Sequence, residues 1–101
     1  MAILFGTEQV HQLEFSMTYD EFIALALHER PVNKAAHDMG IPQPTLRRYA
    51  NGERLPDYTA TLIMAKEASV SAMEALKTVA LEDARRKGML DAVKKVFFLA
   101  A

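Results

Sequence analysis

The chain has 101 residues, half of them hydrophobic and a quarter charged, as in one ordinary globular domain with a short appendage. It has no cysteine, which excludes a disulfide framework and a thiolate metal site, and no apolar run approaches the roughly 20 residues that cross a bilayer. The net charge of −1 argues against a protein that coats nucleic acid indiscriminately.

Residues 1–16 are open to several readings. Ile3, Leu4 and Phe5 form a short apolar run closed by Gly6, and Val10, Leu13 and Phe15 follow without a clean period. A strand, a docked arm or an extension all fit, with Met17 as an alternative internal start. The opening MAILFGTEQ lacks the basic segment and long apolar core of a secretory leader. With the absence of cysteine, this makes the cytoplasm the expected location.

Thr18 and Glu21 have the spacing of a capping box, so a first helix is predicted over 19–29. Phe22, Ile23, Ala26 and Leu27 give it an apolar stripe. Pro31 stops that helix and can open a second over 32–39. A third is predicted over 43–50, with Pro44 in its first turn, and Asn51-Gly52 is its stop signal. Pro56-Asp57 restarts the chain as a fourth helix to Glu67, with Leu62, Ile63 and Ala65 apolar. Ser71 and Glu74 form a second capping box. They start a fifth helix to Lys87, on which Met73, Leu76, Val79 and Ala80 recur at helical spacing. Gly88 breaks it. Residues 89–101 read as a sixth helix, with a strand at KVFFL as the alternative. The expected fold is all-α, with five or six helices and extended structure only at the ends.

Charge is laid out in blocks. Residues 1–29 hold five acids and no Lys or Arg. Residues 30–55 hold Arg30, Lys34, Arg47, Arg48 and Arg54 against two acids, a net of +3. Residues 56–84 hold five acids and two lysines, and residues 85–101 hold five bases against Asp91. The locally basic block coincides with the most telling spacing in the chain. Ala36, Gly40, Ile41, Leu46 and Tyr49 stand where two helices joined by a glycine turn need them. A small residue allows a close crossing, a glycine takes the positive φ of the turn, and three apolar residues lock the pair. This is helix-turn-helix spacing, whose second helix can enter the major groove of DNA. On a helical wheel Leu46 and Tyr49 point one way. Pro44, Arg47, Arg48 and Asn51 point the other, with Gln43 near the edge. Arginine can fork onto guanine, and glutamine can pair with adenine. Thr45, near the helix start, suits a phosphate, as do Lys34 and Arg54 beside the helix. The competing reading is plain packing of two helices, with Arg47 and Arg48 as a solvated face.

On these residues, 18–88 resemble the Cro/C1-type helix-turn-helix domain of phage repressors and related bacterial regulators. MGIPQPTLRRYANGERLPD is similar to that family's turn, recognition helix and following glycine loop. EASVSAMEALKTVALEDARRKG resembles small uncharacterised phage-encoded relatives. The resemblance implies a five-helix domain that binds duplex DNA, with base-reading roles falling on Gln43, Pro44, Arg47 and Arg48. Pro42 and Pro44 depart from the family, which usually places polar residues there. The organisation expected is an arm or extension over 1–17, a DNA-binding domain over 18–88 and a C-terminal segment over 89–101.

The expected function is that of a transcriptional regulator of phage or mobile-element origin, without enzymatic activity or cofactor. It would bind a two-fold operator as a homodimer. The alternative is a phage-encoded helical adaptor that binds a host protein or partner toxin. His11, His28 and His37 lack ligand spacing, so no metal is expected. Asp20 and Glu21 read as helix-start acids and not as a catalytic pair. The six methionines read as core filler. Met89, Leu90, Val93, Val96, Phe97 and Ala100 form an apolar stripe widened by Phe98 and Leu99. A second subunit is expected to cover it; the alternative is that the tail folds back on residues 1–16.

Overall fold

A computed structural model describes residues 17–99, and every element in that span is helical. The expectations for residues 1–16 and for Ala100 lie outside the described residues.

At the entry, the Thr18 hydroxyl accepts from the Glu21 amide at 3.1 Å, and Glu21 Oε1 accepts from the Thr18 amide at 2.8 Å. The closed capping box starts α1 (Tyr19–Leu27). The helix stops two residues short of the predicted Glu29. His28 and Glu29 instead take left-handed φ values of 57° and 61°, with no glycine at either. Arg30 supports this turn. Its Nε donates to the Leu27 carbonyl at 2.8 Å and its Nη2 to the Ala26 carbonyl at 2.9 Å, filling acceptors the helix end leaves open. Pro31 then disfavours helical backbone at Arg30.

The same guanidinium reaches two more helices. Nη1 donates to Asp38 of α2 (Val32–Met39) at 2.8 Å, and Nη2 to Glu67 of α4 (Tyr58–Ala68) at 2.8 Å. One cation therefore ties together the C-terminal parts of three helices, where a positive charge is favoured.

Between α2 and α3 (Gln43–Ala50), Gly40 makes the turn with φ 73°, its amide directed at the Ala36 and His37 carbonyls. The Ile41 amide reaches the Ala36 carbonyl at 3.1 Å. Ala36, Ile41, Leu46 and Tyr49, the residues the spacing turned inward, are all buried in one cluster.

Further along, Asp57 is the cap of α4, accepting from the Ala60 amide at 2.8 Å, so the helix begins at Tyr58 and runs one residue past the predicted Glu67. α5 (Ala72–Arg86) starts at Ser71, whose hydroxyl accepts from the Glu74 amide at 3.0 Å. The second capping box is only half made. Glu74 turns away to accept from Lys77 Nζ at 3.0 Å, and its Oε1 is buried without a partner. Lys87 caps the end, one residue short of the prediction. Gly88, at φ 73°, then reverses the chain.

The last segment is helical, not a strand: α6 (Leu90–Lys94) and a π-helical turn over Lys95–Leu99. It folds back along α5, where the Phe98 ring lies 5.3 Å from Lys77 Nζ. The apolar stripe is thereby divided. Leu90, Val93, Phe97 and Phe98 are half-buried, while Met89 and Val96 stay exposed.

The core is built on small residues. Among the described residues, eight of the sixteen buried apolar residues are alanines, and the largest fully buried side chains are Phe22, Leu46, Met64 and Thr61. On α4 the inward face is Ala60, Thr61, Met64, Ala65 and Ala68, while Leu62 is 45% exposed. Met73 on α5 is exposed as well.

Ala36→Leu is expected to cost about 1–3 kcal/mol through overpacking of the α2–α3 crossing. Gly40→Val is expected to cost about 1–2 kcal/mol through backbone strain alone, since open space surrounds the missing Cβ. Thermal or urea melts equal to the parent for both would refute the close crossing. Arg30→Lys keeps the charge but loses the fork, and should destabilise by about 2 kcal/mol, a loss that added salt does not reproduce in the parent.

Candidate nucleic-acid interface

α3 begins without a polar cap. Pro42 has φ −55°, and its carbonyl accepts from the Leu46 amide at 3.0 Å, which suffices to start the helix. Pro44 falls in the first turn, where no intrahelical donor is lost. Both prolines are therefore compatible with an intact helix. The backbone donors left at its start belong to Gln43 and Thr45.

The two sides of α3 differ sharply. Leu46 is fully buried and Tyr49 nearly so, whereas Pro44, Arg47, Arg48 and Asn51 are exposed, and Gln43 and Thr45 are half-buried at the border. The helix carries no acid of its own. Arg47 and Arg48 lie in its last turn, where their charge also complements the helix C-terminus.

Beyond Asn51 the chain bends at Gly52, with φ 77°. The Arg48 carbonyl then accepts from the Glu53 and Arg54 amides at 3.0 and 3.3 Å. This return brings exposed Arg54 back beside the end of α3. The exit of the helix is fixed from two other directions. The Tyr19 hydroxyl donates to the Tyr49 carbonyl at 2.8 Å in a buried bond, and Arg86 Nη1 donates to the Gly52 carbonyl at 2.8 Å. Burial pushes the Tyr19 phenol well above its ordinary range, so it remains a donor.

Internal pairing takes up part of the charge blocks seen in the sequence. Arg30 and Lys34 both bind Asp38, Lys34 at 2.9 Å, and they hold that carboxyl below its usual range, Lys34 foremost. Glu82 Oε2 accepts from Arg85 at 2.6 Å and from Arg86 at 2.8 Å, and Lys87 pairs with Asp83 at 2.9 Å. The three cations that end α5 thus have acid partners on their own helix. Among the described residues, Arg47, Arg48 and Arg54 form no ion pair.

The structure thus brings Gln43, Pro44, Thr45, Arg47, Arg48, Asn51 and Arg54 onto α3 and its exit. Lys34 stands apart on α2, held by Asp38. Sequence reasoning missed the supports, Tyr19, Arg86 and Arg30. Their partners lie 30 to 37 residues away, at distances no local spacing encodes.

No protein-family model, curated protein or solved structure matches this chain. The arrangement of α3 therefore has to be weighed on its own chemistry. Among the described residues no helix is long and apolar enough to cross a membrane.

The acid side of the stability curve should report on Glu82. Arg85, and after it Arg86, hold its carboxyl at about 2, against an ordinary 4.5. Its contribution is complete above the ordinary value and disappears as pH falls through the folded one. After discounting for screening it is on the order of 1–2 kcal/mol. Urea melts across this interval should show the parent losing stability more steeply than Glu82→Gln. Parallel curves would refute the assignment.

Proposed function

We propose that this chain is a Cro/C1-type helix-turn-helix protein that binds duplex DNA sequence-specifically and regulates transcription in the cytoplasm, in a phage or mobile-element setting. One observation carries the reading: Leu46 and Tyr49 pin α3 by one side, and its other side offers Arg47 and Arg48, which form no ion pair among the described residues. A helix so held is a rigid rod about 10–12 Å across, a fit for the major groove.

Each exposed group then has a role in its chemistry. Arg47 and Arg48 fork onto guanine O6 and N7, and Gln43 pairs with adenine. Pro44 has no donor and meets a thymine methyl. Thr45 and the first-turn amides hold a phosphate. Arg54 and Lys34 take flanking phosphates, and Asn51 closes the row at the exit. Lys34 would have to share its charge with Asp38. Two copies on a two-fold operator would place their reading helices about 34 Å apart.

A second reading, a helical adaptor for a host protein or partner toxin, has one observation in its favour. A groove of about 530 Å³, largely apolar, runs between Leu55, Pro56, Leu76, Val79 and Phe97. A gel shift with random duplex at low salt separates the two classes, since even weak specific binders retain non-specific affinity there.

Arg47→Ala and Arg48→Ala should each cost about 1–3 kcal/mol of specific affinity, with the thermal melt unchanged. Binding by the double variant as tight as the parent's would favour the adaptor.

A further inference from the structure

Arg86 is the last residue of α5, and each nitrogen of its guanidinium has a close neighbour. Nε donates to Glu82 Oε2 at 2.8 Å, one turn back on the same helix. Nη1 leaves α5 and donates to the Gly52 carbonyl at 2.8 Å. Nη2 stands 3.4 Å from where a Cβ on Gly52 would be. The guanidinium carbon lies 6.0 Å from the centre of the Tyr19 ring, whose own hydroxyl donates to the Tyr49 carbonyl. The carboxylate aims the fork, the ring supports it, and the fork meets the backbone just past α3.

α3 depends on that exit. Leu46 and Tyr49 hold its inner side, but Arg47 and Arg48 stand in its last turn, next to the loop. The Glu53 and Arg54 amides close the loop onto the Arg48 carbonyl, and Gly52 is the left-handed residue they turn about. Among the described residues, the side-chain hydrogen bond to loop 51–55 is the one from Arg86.

We propose that Arg86 is a positioning residue for α3: from α5 it fixes the exit loop, and with it the aim of Arg47, Arg48 and Arg54. The consequence for DNA rests on the function proposed above. A fork on guanine needs two acceptors at set distances and angles, so it is lost when the last turn of α3 rocks. Attraction to phosphates tolerates such motion, because it is governed by charge. A loose exit therefore lowers discrimination between sequences and leaves non-specific binding in place.

Two variants separate aim from charge. Arg86→Leu removes both. Arg86→Lys keeps the charge, but one ammonium lacks the planar fork that spans Glu82 and the Gly52 carbonyl, and the carboxylate is the stronger acceptor. Each is titrated, over a range of salt, with a duplex that the parent selects from a randomised pool and with random duplex. Amide exchange is measured on the free proteins. For both variants the ratio of selected to random affinity should fall about tenfold, the worth of one charge-assisted hydrogen bond. In Arg86→Lys the random-duplex affinity and its salt slope should stay at the parent's values. In both, the Glu53 and Arg54 amides should exchange about tenfold faster, with Leu46 unchanged. Parent-like discrimination by Arg86→Lys assigns the effect to charge and overturns the proposal. Equal loss on both duplexes makes Arg86 a phosphate contact and overturns it too. Parental exchange rates at Glu53 and Arg54 overturn it in any case. If the parent binds neither duplex, the DNA reading falls, and the exchange rates alone decide for or against Arg86.

Discussion

A helix of eight residues does not persist alone in water. α2 and α3 have eight residues each, so each exists only because it is packed. What permits the packing is the absence of bulk. Alanines at 26, 35, 36, 60, 65, 68 and 75 line the shared cluster, and a few large side chains fill what remains between them. Close approach places backbone near backbone, which gives many weak dispersion contacts but little margin for added volume. α3 inherits its rigidity from this constraint. It is held on one side by the cluster and at its exit by bonds from α1 and α5.

Electrostatics in this fold work by cancellation. Arg30 joins α1, α2 and α4 through carbonyls and two carboxylates. Glu82 gathers Arg85 and Arg86, and the latter continues to the Gly52 carbonyl. Pairs as exposed as Lys34–Asp38 contribute little to stability. Their larger effect is on the surface field. Once they neutralise each other, Arg47, Arg48 and Arg54 at α3 and the loop after it are among the exposed cations without an ion pair in the described residues, as are Lys66, Lys94 and Lys95 elsewhere. A protein of net charge −1 can thereby present a locally basic face.

The helices were readable because their punctuation is local. Thr18 with Glu21, Pro31, Gly40, Gly52, Ser71 and Gly88 all mark ends, and the spacing of Leu46 and Tyr49 fixed which side of α3 faces inward. The failures share a cause. α1 stops early because Arg30 supplies carbonyl partners and helps hold His28 and Glu29 left-handed, an arrangement no glycine announces. Leu62 and Met73 belong to the apolar patterns of their helices, whereas the faces that α4 and α5 bury are mostly alanine and threonine. Glu74 fits a capping box by spacing, yet Lys77 takes its carboxylate. The basic block around residue 34 loses two of its charges to Asp38. In each case a side-chain partner or the packing of a neighbouring helix overrides the pattern that spacing alone suggests.

The buried bond from the Tyr19 hydroxyl to the Tyr49 carbonyl also gives the molecule an optical signature. The chain has no tryptophan and three tyrosines, so its near-ultraviolet emission is tyrosine emission. Two of those rings sit at the junction of α1 and α3, one of them bonded to the backbone, while Tyr58 is 83% exposed. Tyr58 supplies a nearly constant background. The remainder of the signal comes from the seam that anchors α3, which can be followed without attaching a dye.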